Sequence, residues 1–319
     1  MTEVMRPKCE GDVIIRHRLS VWGAKTMKCV RVYVLPLLIL LAACQGSPPQ
    51  TGELPTLAVL DNPAQATPTP EAASDVNVGV ASAGTGTTET REVGAFSAII
   101  QNLGADLTIT SGSTPTLEIT ADAAVLPLIQ STVTNEVLDL RLPEGTTLDN
   151  AAINIRATMP ALRALTINGA GAVSVSPFVV DALQVDVNGS ANVTFQPLTA
   201  QSLTVNLAGQ GSVSFDSLTV ITLTANMSGA GIISALGDAD VLTVTAPGGG
   251  ELRAAELFTR AATMDIAGSL VAQVNVAQQL DVAISGSGSV TFSGSPQVNA
   301  TVTGSGRVVD STGNVVAGG

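Results

Sequence analysis

Asp238 and Asp240, with Glu251 and Glu256 about one repeat further on, form the densest set of chemistry-bearing side chains in this 319-residue chain. In a strand, residues two apart share a face, so Asp238 and Asp240 would point the same way. Paired carboxylates could cleave a glycosidic bond as acid and base or nucleophile. They could also hold calcium, which asks only for oxygen ligands. Little else is available for chemistry. Beyond Cys44 the sequence contains no His, Lys, Tyr, Trp or further Cys. The usual general bases, amine nucleophiles and nitrogen or sulfur metal ligands are therefore missing, and a serine triad cannot be assembled without histidine. The ordinary reading of these acids is a solvated surface. The expectation is no catalytic residue, no metal site and no cofactor, with a carboxylate-dependent carbohydrate-active enzyme kept as an alternative.

Cys44 is the other reactive group. Val32–Ala43 is an apolar run of twelve residues, interrupted only by Pro36 and the Tyr33 hydroxyl. It is too short to span a bilayer, which takes about 20 residues. With Lys28 and Arg31 before it, the run has the form of a signal-peptide core. It closes on Leu41-Ala42-Ala43-Cys44, which resembles a bacterial lipobox, whose cysteine is acylated (a palmitate-type chain) and becomes the mature N-terminus. Residues 1–43 are thus expected to be a signal peptide, and Cys44 the lipidation site. Met27-Lys28-Cys29-Val30-Arg31 opens a compact signal, so translation is expected to start at Met27. Several acyl chains, at about 0.8 kcal/mol per buried methylene, anchor a protein without a transmembrane helix.

Charge follows the same division. The full chain carries −12. Without residues 1–43, seven Arg remain against 23 acids, a net charge of −16. Such a body offers no footprint for nucleic acid. Residues 44–91 are rich in Pro, Thr, Ser, Gly and Ala, as in Ala66-Thr67-Pro68-Thr69-Pro70-Glu71. They are expected to form a disordered, lipid-anchored linker, because they hold too little apolar surface to offset chain entropy.

The remainder repeats. Leu183-Gln184-Val185-Asp186-Val187-Asn188-Gly189, Leu203-Thr204-Val205-Asn206-Leu207-Ala208-Gly209 and Leu223-Thr224-Ala225-Asn226-Met227-Ser228-Gly229 alternate apolar and polar residues and then reach glycine. Equivalent glycines recur from Gly169 to Gly304 at intervals of 18–20 residues. A second alternating pair follows each corner, as at Val193 and Phe195 or Val213 and Phe215. Period-two alternation indicates strands with one buried face. Equivalent side chains at a fixed step favour stacked coils over a hairpin meander, since stacking places like above like. The Gly-x-Gly steps read as corners that need glycine's backbone freedom. The predicted fold is all-β, a right-handed parallel β-solenoid over residues 92–319, with coils of about 18–20 residues. Residues 93–160 read as irregular first coils and a cap. The extra glycine in Gly248-Gly249-Gly250 and the missing one in Gly268-Ser269-Leu270 predict less regular stacking there. The six phenylalanines read mostly as core ladder residues. Sequon-like triplets such as Asn188-Gly189-Ser190 read as outward polar positions.

The run Ile284-Ser285-Gly286-Ser287-Gly288-Ser289-Val290-Thr291-Phe292-Ser293-Gly294-Ser295-Pro296, followed by Thr303-Gly304-Ser305-Gly306, resembles the bacterial head GIN domain family of autotransporter-adhesin type. The likeness spans about residues 93–310. It implies a β-solenoid, a signal-bearing or lipid-anchored chain, and no catalytic motif.

The expected function is a non-catalytic cell-envelope lipoprotein presenting its solenoid for adhesion. Expected partners are the membrane, through Cys44, and surface glycans or envelope proteins. The alternative in another class is a sensory or regulatory partner of an envelope-stress membrane protein. The expected location is extracytoplasmic. Gln45, rather than Asp, after the lipid site is compatible with the outer membrane where two membranes exist.

Overall fold

A computed structural model describes residues 77–78, 86–148 and 151–319. The expected signal peptide, Cys44 and most of the expected linker lie outside the described residues. The rest is a parallel β-solenoid of about seven turns, as the repeat predicts. Each coil contributes three strand segments. On the first face, Leu165, Val185, Val205, Ala225, Val244 and Met264 stack in register. On the second, Val173, Val193, Val213, Ile233, Leu252 and Ala272 do the same. Phe178, Leu198 and Leu218 begin the third. All of these side chains are buried and form one continuous core. Phe195 and Phe215 stack with ring centroids 4.9 Å apart, worth about 1 kcal/mol beyond their burial. The outward positions form polar ladders. Asn188 Nδ2 donates to Asn168 at 2.8 Å, and Asn168 Nδ2 to Asn102 at 2.6 Å.

The corner glycines are required for a reason other than the one their pattern first suggests. Positive φ occurs at Gly171 and Gly250, but Gly209 and Gly268 do not adopt it. A Cβ on Gly209 would instead fall on the carbonyl oxygen of Gly189, and one on Gly268 on that of Gly248. The corner peptides continue the parallel ladder, with Gln210 N–H donating to Gly189 O at 3.1 Å and Ser269 N–H to Gly248 O at 2.9 Å. Side chains have no room between coils held that close.

The irregularities also differ in place from those the glycine pattern predicts. The Gly248–Gly250 and Gly268–Leu270 corners stack regularly, with Val271 N–H donating to Gly250 O at 3.1 Å. Register shifts fall at the corner leading into the third face, between Phe215 and Leu218 and between Ser234 and Gly237. There Leu236 alone spans a gap that Asp216 and Ser217 fill one coil earlier. That deletion is the source of the 19-residue interval.

The cap is present, but chain order and spatial order differ. Ala98–Gln101 and Asp106–Ser111 make the first regular coil. The chain then turns back. Val137–Arg141 and Asn154–Met159 stack in parallel beneath that coil. Gln130–Thr134 and Thr116–Ala121 add to them antiparallel. Thr87–Arg91 pairs antiparallel with Thr116–Ala121, so the folded domain starts before residue 92 and claims the end of the expected linker. Asn77–Val78, also within that linker, pairs with Thr147–Leu148. Arg91, at the end of Thr87–Arg91, points back into the cap. It donates to Leu126 O at 2.8 Å and Ser131 Oγ at 3.1 Å and pairs with Glu89 at 3.3 Å. Antiparallel polar strands over the last parallel coil protect its edge from adding another chain.

At the other end Asp310 sits in register with the buried Phe292. Its carboxylate accepts the backbone N–H groups of Thr312 and Asn314, both at 2.9 Å, and the Thr312 hydroxyl at 2.6 Å. This closes a turn into Val315–Gly318, which pairs antiparallel with the strand carrying Asp310.

Two outcomes follow from these contacts. Gly209→Ala forces adjacent coils apart and lowers stability by about 3 kcal/mol, whereas Gly94→Ala, with nothing nearer than 4.0 Å, is close to neutral. Urea denaturation midpoints of the two variants make the comparison. Hydrogen bonds from Thr312 and Asn314 lower the Asp310 pKa from 3.8 to about 2. A depressed carboxyl pKa stabilises the turn above about pH 4, and that contribution is lost as pH falls toward 2. An NMR titration of the Asp310 carboxyl should show its midpoint near 2, and T312A/N314A should move the midpoint up toward 3.8.

Candidate functional site

The outward side chains change character along the corner between the third and first faces. Inward residues run in one phase to Val220 and resume in the other at Leu223, so the chain turns at Ile221 and Thr222. The same phase switch occurs in each coil from Val180–Leu183 to Thr259–Ala262. Two outward rows result. Val179, Thr199, Thr219, Asp238 and Phe258 are successive register partners in the first. Asp181, Gln201, Ile221, Asp240 and Arg260 form the second, two residues on. Five coils at about 4.8 Å give each row a length of about 19 Å.

Between them lies a groove of about 650 Å³. Its surface is unusual for an outer β-face because large apolar residues stand out of it. Val179 is 82% exposed, Phe258 54% and Ile221 53%. Its charged groups are Asp181, Asp238, Asp240 and Arg260. Arg260 donates to Asp240 Oδ1 at 2.7 Å, and Gln201 donates to Asp181 at 3.2 Å. A hollow of about 720 Å³ lies over the glycine corners near Asn188, Gly209 and Ser228. Its lining is backbone and small polar groups, so fewer distinguishing side chains converge on it.

Asp238 and Asp240 do share a face, as their spacing predicts, and both line the groove. Glu251 and Glu256 do not join them. They flank a smaller hollow of about 340 Å³ with Arg253. Arg253 donates to Glu251 at 2.7 Å, and this hydrogen bond holds the Glu251 carboxyl below the ordinary range. Among the described residues no three acids converge as a metal would require. The carboxyls shifted from their ordinary values, Glu251 and Asp310, are shifted downward, opposite to the direction a general acid needs.

Five of the six phenylalanines are buried, Phe178, Phe195, Phe215 and Phe292 on ladders and Phe96 just before the strand Ala98–Gln101, and Phe258 is not. It follows the inward Leu257, at the outward position that Thr199 and Thr219 hold in earlier coils. Sequence reasoning also misses Gln101. This side chain is fully buried in register between Leu140 and Ile167. Its Nε2 donates to Leu103 O at 3.2 Å and Ala105 O at 2.8 Å, holding the one corner of the first coil that lacks Gly-x-Gly. The phase of Ile99, Gln101, Leu103 and Ala105 carried that signal.

Fold and site together define a β-solenoid protein whose distinctive feature is a side-chain-lined groove along one corner. The chain belongs to the family described as "putative auto-transporter adhesin, head GIN domain", whose model matches residues 95–296. The fold recurs in solved structures. A putative lipid binding protein from Parabacteroides distasonis is 23% identical, with a TM-score of 0.67 over 72% of this chain and 97% of that one. A putative adhesin from Parabacteroides merdae is 23% identical, with a TM-score of 0.66 over 72% and 97%. A putative adhesin from Parabacteroides distasonis is 21% identical, with a TM-score of 0.67 over 72% and 98%. No curated protein matches the chain. Among the described residues, no helix is long and apolar enough to cross a membrane.

Proposed function

We propose that this protein is a non-catalytic adhesin of the bacterial envelope, anchored through acylated Cys44 and binding its partner in the corner groove. The observation that carries the reading is the groove itself. Val179, Ile221 and Phe258 are each more than half exposed on a face where neighbouring coils present Thr, Gln and Asp. Apolar side chains held out of a rigid sheet gain most when a partner covers them. Membership of an adhesin-type family supports the same reading. The absence of His, Lys and Tyr beyond residue 44 favours binding over catalysis, because carboxylates are then the main proton-transfer groups, and Asp240 is already committed to Arg260.

A rigid solenoid loses little entropy on binding, so contacts along about 19 Å of groove add efficiently. The anchor and the Pro- and Thr-rich segment after it would present this surface away from the membrane. Two variants test the proposal. Cys44→Ser should move the protein from the membrane fraction to the soluble fraction of cells. Phe258→Ala should weaken binding of the full chain to envelope fractions about tenfold, with an unchanged circular dichroism spectrum because Phe258 packs outside the core. Undiminished binding by Phe258→Ala would remove the groove from the proposal.

A further inference from the structure

We infer that the groove takes an amphipathic, cationic polypeptide segment supplied by another protein, an assignment that rests on reading the groove as the binding site. Three observations define this occupant. The first is the apolar content. Val179 and Ile221 present aliphatic carbons, which gain free energy against apolar side chains and gain little against a sugar ring covered in hydroxyls. The second is the charge. Arg260 is held by Asp240 at 2.7 Å, whereas Asp181 and Asp238 make no ion pair among the described residues. The groove therefore keeps two uncompensated carboxylates beside its apolar surface.

The third is their arrangement. Asp238 and Phe258 are register partners on adjacent coils, about 4.8 Å apart along the axis. A carboxylate next to the exposed face of an aromatic ring is a receptor for a Lys ammonium or Arg guanidinium, which pairs with one and rests over the other. Val179 and Asp181 repeat the apolar–acidic pairing at the opposite end of the groove. The occupant thus needs alternating apolar and cationic side chains over about 19 Å, the reach of about six extended residues.

A second copy of this chain is a poor candidate. Beyond residue 44 it has no lysine and seven arginines, and the net charge of −16 there opposes self-association. Complementarity points to a basic segment of a different protein.

The test titrates the full chain with a labelled synthetic peptide of alternating Leu and Lys. The controls are a Leu-Glu peptide of equal length and a neutral glucan. Saturable binding of the Leu-Lys peptide is expected, about tenfold or more tighter than the Leu-Glu peptide and weakened by added salt. Phe258→Ala, and separately D181N/D238N, should each weaken it about tenfold. All three side chains are exposed, so the variants retain the solenoid. Equal binding of the Leu-Glu peptide, indifference to both variants, or saturation by the glucan alone would each overturn the inference. Envelope-fraction binding by the same variants separates the two levels. If that binding depends on Phe258 while the Leu-Lys peptide fails to saturate, the groove is the binding site and the cationic occupant is wrong. If envelope binding ignores Phe258, both readings fall.

Discussion

Coil-on-coil contact at the glycine corners is the constraint on which the rest of this molecule depends. Each corner peptide donates to the carbonyl of the corner beneath it, as Ala230 does to Gly209 at 3.2 Å. The carbonyl below occupies the place of a Cβ, so the chain can hold that spacing only where glycine stands. Once the corners are fixed at the parallel-strand spacing, the three faces inherit it. Val, Leu and Phe then fall directly above one another, and burial of one apolar row is shared by every coil. The same spacing places Asn over Asn outside, where amide-to-amide hydrogen bonds run along the axis.

A structure built this way gains stability from neighbours in one dimension, which makes its ends the weak points. The two ends are closed by different means. At the N-terminal end the chain doubles back, and antiparallel strands with Arg91 between them cover the parallel edge. At the C-terminal end a single hydrogen-bonded carboxylate, Asp310, continues an internal apolar ladder and turns the chain into a short antiparallel strand. Gln101 belongs to the same class of device. It places an amide inside the core because the first coil lacks the glycine pair that would otherwise make its corner.

The groove arises where this regularity relaxes. The corner between the third and first faces carries no glycine ladder, so side chains of any size can stand there. One residue fewer at Leu236 and the bulge after Ala254 shift the register of two coils. Phe258 stands at the outward position that Thr199 and Thr219 hold in earlier coils, and register between coils sets it against Asp238. A rigid scaffold with a variable corner separates stability, which resides in the ladders and glycines, from recognition, which resides in side chains that stability does not require.

Much of this was legible in the residues alone. The all-β class, the coil length and the inward ladders follow from period-two alternation repeated every 18–20 residues, because both are local properties of the chain. The shared face of Asp238 and Asp240 follows from their two-residue spacing for the same reason. What lies beyond sequence reading depends on register between coils. Val179 sits in the unbroken apolar run Phe178-Val179-Val180, which has no visible phase. Phe258 meets Asp238 only through pairing between coils, whereas Glu251 and Arg253 meet by the same two-residue spacing within one strand. The first regular coil takes its neighbours on both of its spatial sides from segments that follow it in sequence, and Thr87–Arg91 becomes a strand because Thr116–Ala121 offers it an edge. Sequence determined which residues repeat; tertiary structure decided which of them meet, because hydrogen-bond register between coils is a non-local choice.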